Sequence, residues 1–243
     1  MRRLDTLSTG SDRLRLGSWR GDDAVALLSP TAGVAPTPGG LAEALQRVVE
    51  QGYRTVITPA LTHGEQQPFL RAGFTVHERL HLLRHPLDRI PPPRTPNARL
   101  RRGRRGDLDA VLAVDGAAFD SFWRFDRAGL ADARSATPSH RFRVAGAHRR
   151  VVGYHVTGRA GRLGYLQRLA VDPAHQGGGL GTALVGDALA WCRRHGCRSV
   201  LVNTQETNQR ALGLYQHLGF TPEPYGLAVL EHPLGRPTPA TTP

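Results

Sequence analysis

The part of this chain that most restricts its fold is Leu169-Ala170-Val171-Asp172-Pro173-Ala174-His175-Gln176-Gly177-Gly178-Gly179-Leu180-Gly181-Thr182. An apolar strand pattern ends at Val171, Pro173 turns the chain, and a glycine run leads directly into a long helical pattern that continues to His195. Strand, turn and helix in this order belong to a chain that layers helices on a sheet. Without Cβ atoms, Gly177, Gly178, Gly179 and Gly181 can turn sharply and let a ligand touch the backbone. The first N–H groups of a helix have no internal partner, and the helix dipole adds partial positive charge there. The mouth of the helix therefore suits a diphosphate, and Gln176 can add a side-chain donor.

The flanking residues extend the α/β reading. Residues 98–102 predict a strand, Asp107–Phe119 a helix capped by Asp107, and Arg127–Arg134 a short helix. Phe142–Ala145, Val151–Thr157 and Tyr165–Val171 predict strands. Gly196 stops the long helix. Ser199–Asn203 then reads as a strand buried on both faces, Gln209–Leu218 as a helix stopped by Gly219, and Leu227–Leu230 as a closing strand.

An earlier stretch repeats this order. Leu41–Glu50, Gly52-Tyr53, Phe69, Gly73-Phe74 and His85-Pro86-Leu87 match the run to His195, Gly196-Cys197, Tyr215, Gly219-Phe220 and His232-Pro233-Leu234 at a shift of about 145 residues. A shift that long indicates duplicated domains, since solenoid repeats run roughly 20–50 residues. The first copy is short at its front. Between the copies, Ile90-Pro91-Pro92-Pro93-Arg94-Thr95-Pro96 breaks any helix and reads as a stiff linker. The expected organisation is a partial copy over 1–90, a linker over 91–96, a complete domain over 97–234 and a disordered tail over 235–243.

Composition narrows the partners. The net charge is +12, every basic residue is arginine, and lysine is absent. Such a field attracts anions. The densest cluster, Arg99–Arg105, reads as a solvated strand end and turn; no recognised nucleic-acid module accompanies it, so nucleic acid is not the expected partner. No apolar run reaches the ~18 residues that span a bilayer, and the N-terminus has no signal core. The expected location is the cytoplasm, with no membrane partner. Cys192 and Cys197 read as small buried hydrophobes. His77, His81 and His85 share a spacing that suggests a metal stripe, but no carboxylate or cysteine set joins them and no metal is expected.

The absence of lysine excludes a phosphate loop ending in Gly-Lys-Ser/Thr, and the glycine run is not a Gly-x-Gly-x-x-Gly turn followed by an acidic strand end. Gln176-Gly177-Gly178-Gly179-Leu180-Gly181 does fit Gln/Arg-x-x-Gly-x-Gly/Ala. With the preceding Leu-Ala-Val-Asp-Pro, it resembles the acetyl-CoA signature of the GNAT superfamily of N-acetyltransferases. Asn208-Gln209-Arg210-Ala211-Leu212-Gly213-Leu214-Tyr215-Gln216-His217-Leu218-Gly219-Phe220 is similar to the second half of that family's pattern. The resemblance covers 98–234.

The resemblance implies an α/β fold with a mixed central sheet splayed between Tyr165–Val171 and Ser199–Asn203, preceded by a partial, degenerate copy of the same fold. It implies acetyl-CoA as co-substrate, held by Leu169, Ala170, Val171, Gln176, Gly177, Gly178, Gly179, Leu180, Gly181, Thr182 and Asn208. It implies direct acetyl transfer to a primary amine of a small molecule or protein, with Tyr215 as proton donor to the departing thiolate. The base is the weak point. Asn203 and Gln167 stand where relatives carry glutamates, leaving Glu206 as the candidate, with His155 and Asp120 as substitutes. Phe122, Trp123, Phe125 and Asp126 are the expected acceptor contacts. In the first copy, Pro36 and Pro38 remove backbone donors where the glycine turn belongs, and Phe69 replaces the tyrosine. Two other functions fit: a non-catalytic acetyl-CoA sensor, and an arginine-rich nucleic-acid module.

Overall fold

The computed structural model describes residues 5–9, 12–31, 35–90, 98–147 and 150–234. The expected linker and tail lie outside them. The first half runs β1 (Asp5–Thr9), β2 (Asp12–Trp19), β3 (Asp22–Pro30), α1 (Pro38–Glu50), β4 (Thr55–Ile57), α2 (His63–Arg71) and β5 (Thr75–His85). The second runs β6 (Arg99–Arg102), α3 (Leu108–Ala118), α4 (Arg127–Ser135), β7 (Ser139–Ala147), β8 (Arg150–Ala160), β9 (Leu163–Val171), α5 (Leu180–Arg194), β10 (Ser199–Gln205), α6 (Gln209–His217), β11 (Thr221–Pro222) and β12 (Leu227–Pro233).

Two compact units emerge: residues 1–81 with 224–243, and Leu82–Glu223. In the first, the strands lie in the order β1-β2-β3-β4-β12-β5, with β3 and β4 parallel. Leu14, Leu16, Leu28, Leu41, Val48 and Phe69 form its core. Helix α1 begins on Thr37, whose side chain accepts from Gly40 N, with Pro38 in the first turn. One donor at that helix mouth is thus used internally and another is missing.

In the second unit the order is β5-β10-β9-β8-β7-β6. Its end of β5 brings Leu83 and Leu87 to a core that includes Val185, Leu189, Val200 and Phe220. The β5 residue Arg84 donates to Glu223 at 2.5 Å and to Ser199 at 2.9 Å. The units thus divide differently from the expected 97–234 domain: β12 packs with the first unit and Leu82–His85 with the second.

The duplication is visible in backbone detail. Gly52 and Gly196 have φ of +84° and +77°, and Gly73 and Gly219 of +88° and +92°. Each closes a helix in the left-handed conformation that glycine adopts without strain. Beyond the second pair, Phe74 N bonds Phe69 O, and Phe220 N bonds Tyr215 O. The aromatic pairs Phe69–Phe74 and Tyr215–Phe220 pack at 5.2 and 5.5 Å.

Two local expectations change. Strand β10 alternates instead of being buried on both faces, and Asn203 is exposed. Asp107 does not cap α3 through its side chain; its carboxylate turns back to Arg101, at 2.6 and 2.7 Å, and to Arg104 N. An arginine fork offers a carboxylate two charge-assisted bonds, which outcompete a single cap bond.

Candidate active site

The site lies where β9 and β10 part. They pair in parallel only at Leu163↔Ser199, Val200↔Gly164 and Leu201↔Tyr165, although β9 continues to Val171. On its other side β9 keeps step with β8, with a register shift between Val156↔Arg168 and Thr157↔Leu166 that leaves Gln167 as the extra residue. A bulge of this kind bends its strand. The gap leaves the backbone groups of Leu169–Val171 on that side without a strand partner, and buried backbone groups need one.

A cavity of about 510 Å³ fills the opening. Leu169, Ala170 and Val171 form one wall, Gln176, Gly177, Gly179, Gly181 and Thr182 a second, and Asn208, Arg210, Ala211 and Leu214 a third. Gly177 and Gly179 have φ of +82° and +79°, and Gly179 is the residue on which α5 starts. A Cβ at Gly177 or Gly178 would meet nothing within 4 Å, so open space lies against this backbone. The first N–H groups of α5 have no helical acceptor. A cradle of free amides beside an unpaired strand edge fits a long thioester with a diphosphate at one end.

The expected cofactor residues are brought together, with four particulars. Gly178 is in the turn but not on the wall, and Leu180 is buried in a core with Leu184. Gln176 donates to Val171 O at 3.0 Å and accepts from the Arg210 guanidinium, so its amide ties the turn together. Asn208 caps α6, accepting from Ala211 N at 3.0 Å, while also facing the cavity. Arg210 was missed by the sequence reading; its signal was a cation two residues after Asn208.

Tyr215 is 5% exposed, packed in the core behind Leu214. Burial pushes its phenol well above the usual tyrosine range, and the Arg168 charge pulls the other way. It stays protonated, but it is not on the cavity wall. Glu206 is exposed at the end of β10, and its carbonyl accepts from the Gln209 side chain. Asp120 accepts from Trp123 N. His155 is fully buried, with Nε2 against Asp187 at 3.0 Å. No carboxylate lines the cavity among the described residues.

The aromatic segment serves a buried ion pair that sequence reasoning also missed. Asp115 is fully buried in α3 and takes two bonds from Arg168, both 2.7 Å, one from the Tyr154 hydroxyl at 2.5 Å and one from Phe125 N at 2.6 Å. Burial, then the Asp115 charge, holds the Tyr154 phenol far above its usual value, so it donates. The Arg168 guanidinium sits 3.4 Å from the Phe119 ring centre and 4.0 Å from that of Phe125, and donates to Trp123 O at 2.7 Å. Cation–π contact of this kind offsets part of the cost of burying a charge. Ala118 and Phe119 also line the cavity, so this network shapes one wall. Of the expected acceptor contacts, Phe125 belongs to the Arg168 cage and Asp126 caps α4 by accepting from Gly129 N. Phe122 and Trp123 pack edge to face at 5.2 Å. None of these four lines the cavity.

Splayed sheet, glycine turn and helix mouth define a coenzyme A-dependent acyltransferase fold, and the chain belongs to the GNAT acetyltransferase family. Residues 112–220 match the model of the Acetyltransferase (GNAT) family. Mycothiol acetyltransferase of Salinispora tropica is 31% identical over 221 residues, 80% of this chain and 72% of that protein. The enzyme of the same name from Salinispora arenicola is 37% identical over 74% of this chain, and that from Amycolatopsis mediterranei 37% identical over 47%. The chain spans 65% and 43% of the lengths of these last two. Among solved structures, a tandem GNAT protein from the clavulanic acid biosynthesis pathway superposes with a TM-score of 0.67 at 15% identity, over 93% of this chain and 80% of that one. A GNAT acetyltransferase from Kribbella flavida superposes at 0.65 and 16%, over 96% and 90%. These likenesses show the tandem fold. No helix among the described residues is long and apolar enough to cross a membrane, and no group of three or more His, Cys, Asp or Glu among them could hold a metal ion. His77, of the histidine stripe, bonds Glu231 at 2.9 Å.

Proposed function

We propose that the chain transfers the acetyl group of acetyl-CoA to the primary amine of a small molecule in the cytoplasm. The observation that carries this reading is the cavity walled by an unpaired strand edge on one side and glycine-turn amides on the other. Leu169, Ala170 and Val171 would hold the pantetheine arm as a surrogate strand. Gln176–Thr182 would hold the diphosphate at the helix mouth, with Arg210 as counter-charge and Asn208 beside the arm. Acetyl-CoA supplies an activated carbonyl. The neutral amine attacks it, the C–N bond forms, and the C–S bond breaks. A main-chain N–H of Leu169–Val171 stabilises the oxygen as it gains charge. The amine proton leaves through water, since no carboxylate faces the cavity among the described residues. The thiolate takes up a proton, which the family resemblance alone assigns to Tyr215, because its phenol is buried and off the cavity wall; Glu206 likewise has only the resemblance.

For the acceptor, the relatives' shared name points to the amine that becomes the acetamide of mycothiol. The test is release of free thiol from acetyl-CoA across a panel of small amines, including the deacetylated form of mycothiol. Turnover with such an amine is expected. Tight acetyl-CoA binding without turnover on any amine would favour the second reading, a sensor, which the neutral Asn203 and Gln167 support.

A further inference from the structure

We propose that a second cavity, at the edge of β7, binds a small multivalent oxyanion of the phosphate or phosphate-monoester class. It is walled by Arg102, Arg134, His140, Arg141, Arg143 and Trp191 and has a volume of about 320 Å³. Trp191 lies eleven residues along α5 from Leu180, so about 16 Å of helix separates it from the acetyl-CoA cavity at 1.5 Å per residue.

The charge there is only partly compensated. No carboxylate lines the cavity among the described residues. Asp187, behind it, is already shared between Arg141 at 2.7 and 2.9 Å, Arg143 at 3.5 Å and His155 at 3.0 Å. Arg102 and Arg143 stand directly opposite each other across β6 and β7, an arrangement that costs stability for like charges. Arg134 lies 5.0 Å over the Phe142 ring, with no acidic partner among the described residues. The buried Nε atoms of Arg134 and Arg143 lack a hydrogen-bond partner there, and unpaired buried donors are costly. His140 reports the same field: burial, then Arg134 and Arg102, hold its imidazole below the usual value.

Four arginines from β6, α4 and β7 line a cavity with aromatic walls, and two of them, Arg102 and Arg134, hold no carboxylate among the described residues, so their planar forks are open to the oxygens of a phosphate. A bound oxyanion would separate Arg102 from Arg143 electrostatically and engage Arg134. The site would take free phosphate or a small phosphate ester alike.

The probe is inorganic phosphate, titrated by calorimetry at constant ionic strength into the whole chain, the chain saturated with acetyl-CoA, and an Arg102→Gln/Arg134→Gln variant. These two side chains hold no ion pair in the described fold, and a melting curve confirms that the variant is folded. Phosphate heat that persists with acetyl-CoA present and weakens about tenfold or more in the variant is expected. Absence of heat in the whole chain overturns the proposal, as does equal heat in the variant. Heat lost on acetyl-CoA saturation but kept in the variant assigns the anion to the glycine turn and also overturns it. If acetyl-CoA itself does not bind, the variant decides alone. A chain silent to phosphate that retains single-stranded RNA with a steep salt dependence is a nucleic-acid surface instead.

Discussion

Asp115 is a full charge at zero exposure, tolerable only because Arg168, Tyr154 and Phe125 N take up its lone pairs. Removing one partner of such a pair leaves the other charge buried, which costs about 3–5 kcal/mol. Asp115→Ala should lose stability on that scale in urea unfolding and loosen the Phe119 wall; a loss under about 1 kcal/mol would mean that Arg168 finds water instead. At the reaction, Tyr215→Phe should lower turnover on the order of 10²-fold with acetyl-CoA affinity kept. Unchanged turnover removes Tyr215 from the proton step. The histidines predict a pH response. His85 accepts from Leu87 N at 2.9 Å and donates to Leu218 O at 3.0 Å, which fixes a neutral ring. Burial holds both His85 and His155 below the usual value. Below about pH 6.5 the unfolded chain takes up protons that these rings refuse, so stability should fall as pH drops from 7 toward 5. Thermal melts across that range check the sign, and flat midpoints would contradict it. Single residues were legible where their signal is local. Gly177 and Gly179 announce themselves because a turn needs them within a few positions. Asp115 and Arg168 lie 53 residues apart, and nothing in the chain between them says that they meet.

Helix α5 links sequence most directly to function. Its eight buried residues, Leu180, Ala183, Leu184, Val185, Ala188, Leu189, Trp191 and Cys192, group on one broad side and pair at three- and four-residue spacings, as one face of a helix requires. That pattern made the element readable before its position was known. Its start rests on Gly179 at φ +79°, so Gly179→Val should abolish acetyl-CoA binding, through both the strained backbone and a branched side chain against the diphosphate. Binding within about threefold of the parent would contradict this role for the turn. For α6, Asn208→Ala should cost about 1 kcal/mol as a lost cap and weaken cofactor binding together. The alternation of β10 was missed because a short apolar run reads alike for one or two buried faces. The bulge at Gln167 has no sequence signature at all; it is set by how β9 pairs with β8.

The whole molecule carries the same plan twice, and among the described residues the glycine turn at a helix mouth belongs to the second copy. The repeat was legible because its helix-closing glycines and the aromatics beyond them recur in step. The division between units was not, because strand membership depends on pairing partners. Residues 97–234 alone would lack Leu83, His85 and Leu87, all buried in the second unit. That fragment should be markedly less stable than the full chain by circular dichroism, and equal melting temperatures would show Leu82–His85 to be dispensable. The central claim concerns the amides from Gly177 to Thr182 at the mouth of α5, and calorimetric titration of the folded chain with acetyl-CoA tests it most directly. The account predicts saturable one-site heat that vanishes in Gly179→Val; a folded chain that gives no heat with acetyl-CoA, or a variant that binds it equally well, would contradict it.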